Sequence, residues 1–410
     1  MNESGSPFAS AGTVAAPPLR RSAMALLVAM LFASQMAITA FLPALPAIGE
    51  AFAVHTAHVA IIIPAFLGAF AIAQLVLGPL ADALGRRLIV LSGVGLFAAA
   101  SFACALAPSV EFLVVARIAQ GAGACTLIVL SRAIVRDTAQ GASAARALAY
   151  LSMAMGVGPA IAPLLGGALV ESAGWRSIFH ATGAFGLLVM ASAALLLPET
   201  LPANARRPAR FVPLARTYLD LLGYRAYMGY ALAIGLTNAI FHSFVTGAPT
   251  VLISLKGVPP QEFGLYLMTI PLGFIATTLV VSRLVPRFGI DRLIWIGGGF
   301  LVAGAGGILV LALAGADTPL AIVPFMVLHS IGSGFSVSTG LAGAMNAVPP
   351  ALAGTAAALA GFFQMAMSAL GSVAVSSMHH TSMVQTAIPM TVFACGAVIA
   401  FAVLVRPWRR

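Results

Sequence analysis

Hydrophobic positions gather into twelve apolar runs of about 20 residues, divided by short polar breaks. Each is long enough to cross a hydrocarbon core of about 30 Å as a helix. The first six cover approximately 23–45, 59–80, 88–107, 112–134, 146–169 and 178–197, and the second six 226–250, 262–282, 293–314, 319–340, 353–375 and 386–405. Between the sixth and seventh lies the longest polar segment, Pro198 to Tyr224, which carries Arg206, Arg207, Arg210 and Arg216. The pattern predicts an all-α membrane protein of twelve transmembrane helices in two pseudo-symmetric six-helix bundles, 23–197 and 225–405. A linker at 198–224 joins them, with a disordered tail at 1–22 and a short tail at 406–410.

Composition agrees. The chain is 60% hydrophobic and only 8% charged over 410 residues, with a mean hydropathy of +1.03, far from the roughly 25% charged content of an ordinary soluble domain. A net charge of +10 raises the question of nucleic acid, but the arginines stand singly or in pairs between apolar runs, with no basic face interleaved with aromatics. No nucleic-acid partner is expected. The charge is topological instead. One face collects Arg20, Arg21, Arg86, Arg87, Arg132, Arg136, Arg146, the four linker arginines, Arg225, Arg283, Arg287, Arg292, Arg406, Arg409 and Arg410, against Arg176 and Lys256 on the other. The positive-inside rule then predicts both termini in the cytoplasm. Arg20-Arg21 precede an apolar run too long for a signal peptide, with Pro43 and Pro46 where cleavage would fall. Cys104, Cys125 and Cys395 all lie inside apolar runs, so neither a disulfide framework nor a metal site is predicted.

The halves repeat. Leu80-Ala81-Asp82-Ala83-Leu84-Gly85 follows the second run, and Leu284-Val285-Pro286-Arg287-Phe288-Gly289 follows the eighth. Parallel halves of this kind place a binding site between them near the midplane and work by rocking.

Three segments carry candidate chemistry. In the turn Gly78 to Arg87, Gly78 and Gly85 permit close approach and a tight reversal, and Asp82 is suited to accept backbone N–H groups at the start of a neighbouring helix. Arg86 and Arg87 are placed to pair with Asp82 or with anionic lipid. Arg117 lies within the fourth run, where a guanidinium costs about 2.5–3.5 kcal/mol on insertion scales and faces a bundle interior or a wet cavity. Gln120 shares its helix face. The fifth run holds Gly156, Gly158, Pro159, Pro163, Gly166 and Gly167, which predicts a kinked helix that others approach closely.

Together these segments resemble the major facilitator superfamily, specifically its drug:proton antiporters of the bicyclomycin-resistance (Bcr/CflA) type. Gly78 to Arg87 is similar to the family's loop signature after the second helix, Phe112 to Gly123 to its fourth-helix arginine motif, and Gly158 to Gly167 to the antiporter signature of the fifth. Gly174-Trp175-Arg176, Pro198-Glu199-Thr200-Leu201, Leu42-Pro43-Ala44-Leu45-Pro46, Gly354-Thr355-Ala356 and Gly361-Phe362-Phe363-Gln364 look like further markers of this branch. The resemblance implies a monomeric secondary transporter of the bacterial inner membrane, not an enzyme. It would export amphipathic drugs by alternating access, driven by the proton gradient with no cofactor. Asp82 would latch the halves on the cytoplasmic side of the outward-open state, and Arg117 would couple protonation to motion. Export of an endogenous metabolite, without obligatory proton coupling, is the alternative.

The chain departs from that pattern. Ala83 stands where the family commonly has arginine, and Thr39 and Phe41 stand where the branch often has an acid and a tyrosine. All eleven acids fall in tails, loops or span ends. His242 and His329, inside the seventh and tenth runs, are the titrating candidates left for proton coupling. A carboxylate-free cavity favours neutral or weakly polar amphipathic substrates, held by groups such as Thr39, Phe41, Asn238, Phe241, Phe363 and Gln364. A membrane enzyme built on His329, Ser330 and Ser333 is a weaker reading, since no second member of a catalytic set is in view.

Overall fold

The computed structural model of the chain describes residues 21–206 and 208–406, and all regular structure among them is helical. The predicted disordered tail lies outside the described residues except for its last two positions, as do Arg20, Arg207 and most of the tail at 406–410. The first bundle comprises α1 (Arg21–Thr39), α2 (Ile62–Leu84), α3 (Arg86–Ala105), α4 (Val110–Thr138), α5 (Gly141–Ala173) and α6 (Arg176–Leu196). After a linker helix α7 (Phe211–Leu222), the second bundle opens with α8 (Arg225–Ala248), which passes into a π-helical stretch, Pro249–Leu255. The next helix, Pro260–Leu313, is 54 residues long. At 1.5 Å per residue it would measure about 80 Å, more than twice the membrane core. Gly289, with φ 73° and ψ 166°, breaks it into two arms, α9 (260–288) and α10 (290–313). The bundle closes with α11 (Pro319–Asn346), α12 (Ala353–Ser376) and α13 (Val384–Ala400). Among the described residues, eleven long apolar helices therefore make twelve crossings.

Gly85, at φ 100° and ψ 152°, separates α2 from α3 as Gly289 separates α9 from α10. A side chain is strained at both positions, so the repeat read in the sequence is a repeat of backbone geometry. By crossing parity these two turns lie on the face that carries the chain ends, here the terminus face.

Two stretches differ from the simple run pattern. The first span does not continue as one helix to residue 45. It stops at Thr39, makes a 3-10 turn at Leu42–Ala44 and resumes as a short helix, Leu45–Ala51, because Pro43 and Pro46 lack the N–H groups that would carry it on and instead sit at helix starts. The linker, read as polar throughout, holds an amphipathic helix. Leu221 of α7 is fully buried while Phe211, Val212, Leu219 and Leu222 are exposed.

The bundles meet along two helix pairs, α2 with α12 and α5 with α9. Glycine on α5 makes the second pair possible. A Cβ on Gly156 would stand 2.8 Å from Ile275, and one on Gly167 2.7 Å from the Pro260 carbonyl. Gly264 returns the fit against Pro163 and Leu164. Positions 156, 163 and 167 fall on one face of a 3.6-residue helix. A second face turns to α1, where Gly158 lies against Gln35 and Gly166 against the Ala40 carbonyl. Helix α5 is thus wedged between its own bundle and the other.

The seam is closed on the face opposite the termini. There the turn Leu42–Ala44 and helix Leu45–Ala51 pack on Pro249–Leu255. Thr56 Oγ1 and Ser254 Oγ are 3.4 Å apart, and the Gln261 N–H donates to Glu171 at 3.2 Å. The rings of His55 and His379 stack at 6.0 Å between centroids.

Candidate functional site

Ser109 caps α4 by accepting from the Phe112 N–H, and two turns further in the helix presents Arg117 to the bundle interior, 1% exposed. Its Nη1 donates to the Ala37 carbonyl at 2.9 Å and to Gln120 Oε1 at 2.5 Å. The Ala37 acceptor exists because α1 stops two residues later, leaving its last carbonyls without intrahelical donors. The negative end of the helix dipole also favours a cation there. The guanidinium lies over two rings, 4.2 Å from the Phe41 centroid and 4.3 Å from that of Phe66. Gln120 Nε2 donates onward to Ser101 Oγ at 2.8 Å, and Ser101 to the Phe97 carbonyl at 2.7 Å. No described carboxylate pairs with Arg117. Its charge is met by carbonyl dipoles and ring faces, and its Nε is buried without a partner.

The terminus-face turn is organised differently from the sequence expectation. Asp82 does not cap a neighbouring helix. It pairs with Arg86 at 2.5 Å, and Arg86, 3% exposed, also donates through Nε to Asp137 at 2.9 Å. The N-terminus of α3 is taken by Glu199, which accepts from the Arg86 N–H at 2.9 Å and the Leu201 N–H at 3.0 Å, with Arg206 at 3.5 Å. A carboxylate suits the positive end of the helix, and Glu199 reaches it because Gly85 has no side chain: a Cβ there would collide with the Glu199 carboxylate. Arg87 donates to the Ala194 carbonyl in the last turn of α6 at 2.7 Å. Asp82, Arg86 and Arg87 thus bond within the first bundle in this conformation, while Gly78 has open space around it.

The remaining candidates lie apart. Pro159 and Pro163 sit inside the continuous helix α5. Thr39 is buried and donates to the Gln35 carbonyl, and Phe41 forms the floor under Arg117, so neither lines an open cavity. Asn238, Phe241, Phe363 and Gln364 are half-buried on α8 and α12, with Asn238 donating to Ile234 O and Phe363 packed edge-on to Phe362 at 5.6 Å. His242 keeps Nδ1 3.1 Å from the Asn238 carbonyl, and His329 keeps Nε2 3.2 Å from Ser333 Oγ. The other ring nitrogen of each is buried without a partner. His329 and Ser333 stand one turn apart on α11 with no carboxylate behind the imidazole, which does not make a catalytic set.

The sequence reading passed over Gln35 and Gln74. Gln35 Nε2 donates to the Met155 carbonyl at 2.9 Å, tying α1 to α5. Gln74 on α2 fits where Gly361 on α12 leaves room. Both are amides inside apolar runs, the signal that would have found them. Among the described residues no group of acids, cysteines and histidines is arranged to hold a metal.

Two six-helix bundles joined by a linker, seamed along two helix pairs and closed at one face, define a polytopic membrane transporter of the paired-bundle class. Residues 27–372 match the Major Facilitator Superfamily, and the chain belongs to that family. It is 36% identical over 292 residues to the uncharacterized MFS-type transporter YdgK of Bacillus subtilis (strain 168), covering 70% of this chain and 67% of that one. It is 29% identical to a bicyclomycin resistance protein homolog of Haemophilus influenzae, over 89% of this chain and 90% of the other. In fold it is similar to a bacterial homolog of the human lysosomal transporter Spinster, in inward-facing and occupied conformation. The TM-score is 0.74 at 16% identity, covering 96% of this chain and 98% of that one. The family and these relatives indicate a transporter.

Proposed function

We propose that the chain exports small, neutral or weakly polar amphipathic molecules across the bacterial inner membrane, by alternating access in exchange for protons. The observation that carries this reading is Arg117, fully buried, met by no carboxylate, and bonded at once to the end of α1 and to a side-chain chain reaching α3. A cation held only by carbonyls and rings is poised to respond when its helices shift, and a bundle needing only a brace there would be served by apolar packing. The drug-resistance name of the Haemophilus influenzae relative supports the substrate class. The arginine asymmetry supports cytoplasmic termini, and closure at the opposite face then makes this conformer closed to the outside. The outward-open state is where Asp82 would reach across the seam.

The spans carry no acid near the centre, so His242 is the proton carrier we favour, with His329 second. Each has one ring nitrogen engaged and one unpartnered. Asn238, Phe241, Phe363 and Gln364 are the groups we assign to substrate. The proton gradient is the only energy source this reading needs, and one chain supplies both halves.

The test is compound-dependent proton movement in proteoliposomes of the purified protein, with neutral and cationic amphipathic compounds under an imposed pH gradient. Proton release on adding a compound, lost in His242→Gln, supports antiport. Compound flux without proton movement assigns a facilitator instead, and no flux of any compound overturns the reading.

A further inference from the structure

Pro79 sits inside α2. With no N–H it cannot donate to the carbonyl four residues earlier, so Leu75 is left without its i+4 donor. That carbonyl has found another. Tyr218 Oη, on the linker helix α7, donates to Leu75 O at 3.0 Å across 143 residues of sequence. The neighbouring residue on α2, Gln74, lies against Gly361 of α12, so the bond sits where the two bundles cross.

The linker helix is otherwise committed to the second bundle. Leu221 is fully buried in a cluster with Tyr227, Ala356 and Leu359, and Leu75 and Tyr218 pack on the edge of the same cluster. Helix α7 is thus anchored by apolar burial on one side and reaches the first bundle through a hydrogen bond whose acceptor a proline created. Burial pushes the Tyr218 phenol up to about 12, so the hydroxyl remains a donor throughout the working pH range.

We propose that Pro79 and Tyr218 form an interbundle strap, in which the proline frees a carbonyl and the tyrosine holds it, favouring the conformer closed on the face opposite the termini. Rocking carries α2 past α12 and α7 and breaks this bond, so its strength sets part of the ratio of the two conformers. The inference rests on the alternating-access reading above.

Spin labels at Leu84→Cys and Arg287→Cys, in a Cys395→Ser background, report the distance across the terminus face in the full-length protein in lipid. Two distance populations are expected. Tyr218→Phe keeps the ring and removes one hydroxyl, and should shift their ratio about fivefold away from the conformer described here, the effect of one neutral hydrogen bond. Pro79→Ala restores an internal donor to Leu75, so Tyr218→Phe added to it should shift the ratio less than about twofold. Pro79→Gly supplies the same N–H should the alanine variant not insert. Equal shifts by Tyr218→Phe with and without the proline, or no shift at all, overturn the strap while leaving alternating access standing. A single distance population in every variant overturns both.

Discussion

Replacing Arg117 by lysine and by leucine separates a brace from a coupling element. Lysine keeps the charge but not the planar fork or the face that lies on Phe41 and Phe66. It can hold Ala37 O or Gln120 Oε1 but not both in the present geometry. Losing one charge-assisted hydrogen bond removes about 1.5–3 kcal/mol, and weakening two buried ring contacts about 0.5–2 kcal/mol more. Arg117→Lys should therefore lose about 2–5 kcal/mol of stability. Leucine also strands Ala37 O and Gln120 Oε1, at about 1–3 kcal/mol each, but it relieves a burial cost of about 2.5–3.5 kcal/mol. The two terms offset in large part, and Arg117→Leu should fold within about 3.5 kcal/mol of the parent. Stability is read from thermal and denaturant unfolding in detergent, and function from compound-dependent proton movement in proteoliposomes. The expected result is a leucine variant at least as stable as the lysine variant and devoid of coupled transport. Normal coupled transport by Arg117→Leu would refute the coupling role, and a lysine variant clearly more stable than the leucine one would refute the energetic reasoning.

Three further outcomes follow from particular contacts. Glu199→Ala uncaps α3 and should cost about 1–2 kcal/mol, whereas Asp82→Asn leaves Arg86 its bond to Asp137 and should cost under about 1 kcal/mol because Asp82 is 45% exposed; unfolding midpoints in detergent compare the two, and Asp82→Asn should insert normally yet fail in transport. Gly166→Ala drives a methyl into the Ala40 carbonyl and should destabilise by about 1–3 kcal/mol, while Gly354→Ala, with nothing within 4 Å, should be neutral in the same assay. His380, in the turn between α12 and α13, is held below its ordinary value of 6.5 by burial, with the neighbouring His55 and His379 adding to the effect. The unfolded chain then binds the proton more readily, so stability is full above about pH 6.5 and falls as the pH drops below it; a stability–pH profile that is no flatter for His380→Gln than for the parent would refute this.

Much of this architecture was legible because bilayer thickness and the pairing of buried charge leave few options. Twelve apolar runs, Gly85 and Gly289 at matching turns, and Gln120 three residues after Arg117 all follow from local spacing. What stayed hidden depends on segments far apart in the chain. Asp82 looked like the helix cap because it lies beside the helix start, yet Glu199, 113 residues from Arg86, takes that place. Phe41 looked like a cavity wall, but the break at Pro43 folds it under Arg117. Tyr218 was invisible within a segment read as polar, since nothing local ties it to a carbonyl freed by Pro79.

The two copies of the turn keep the glycine and differ in where the carboxylate lies. In the first half Asp82 stands three residues before Gly85 and works through Arg86 to Asp137, joining the ends of α2, α3 and α4. In the second, Pro286 occupies the matching position, and the acid is Asp291, two residues after Gly289, which accepts from the Tyr230 hydroxyl at 2.5 Å. That bond joins α10 to α8, a different pair of helices. The two halves share the backbone reversal, which needs a positive φ, while each makes its charge contacts with the neighbours it has. The linker contacts at Glu199 and Tyr218 both end on the first bundle, one at its charged turn and one at the carbonyl Pro79 exposes. A rocking motion that leaves the Glu199 cap in place and breaks the Tyr218 bond would move α7 with the second bundle, because Leu221 is buried there.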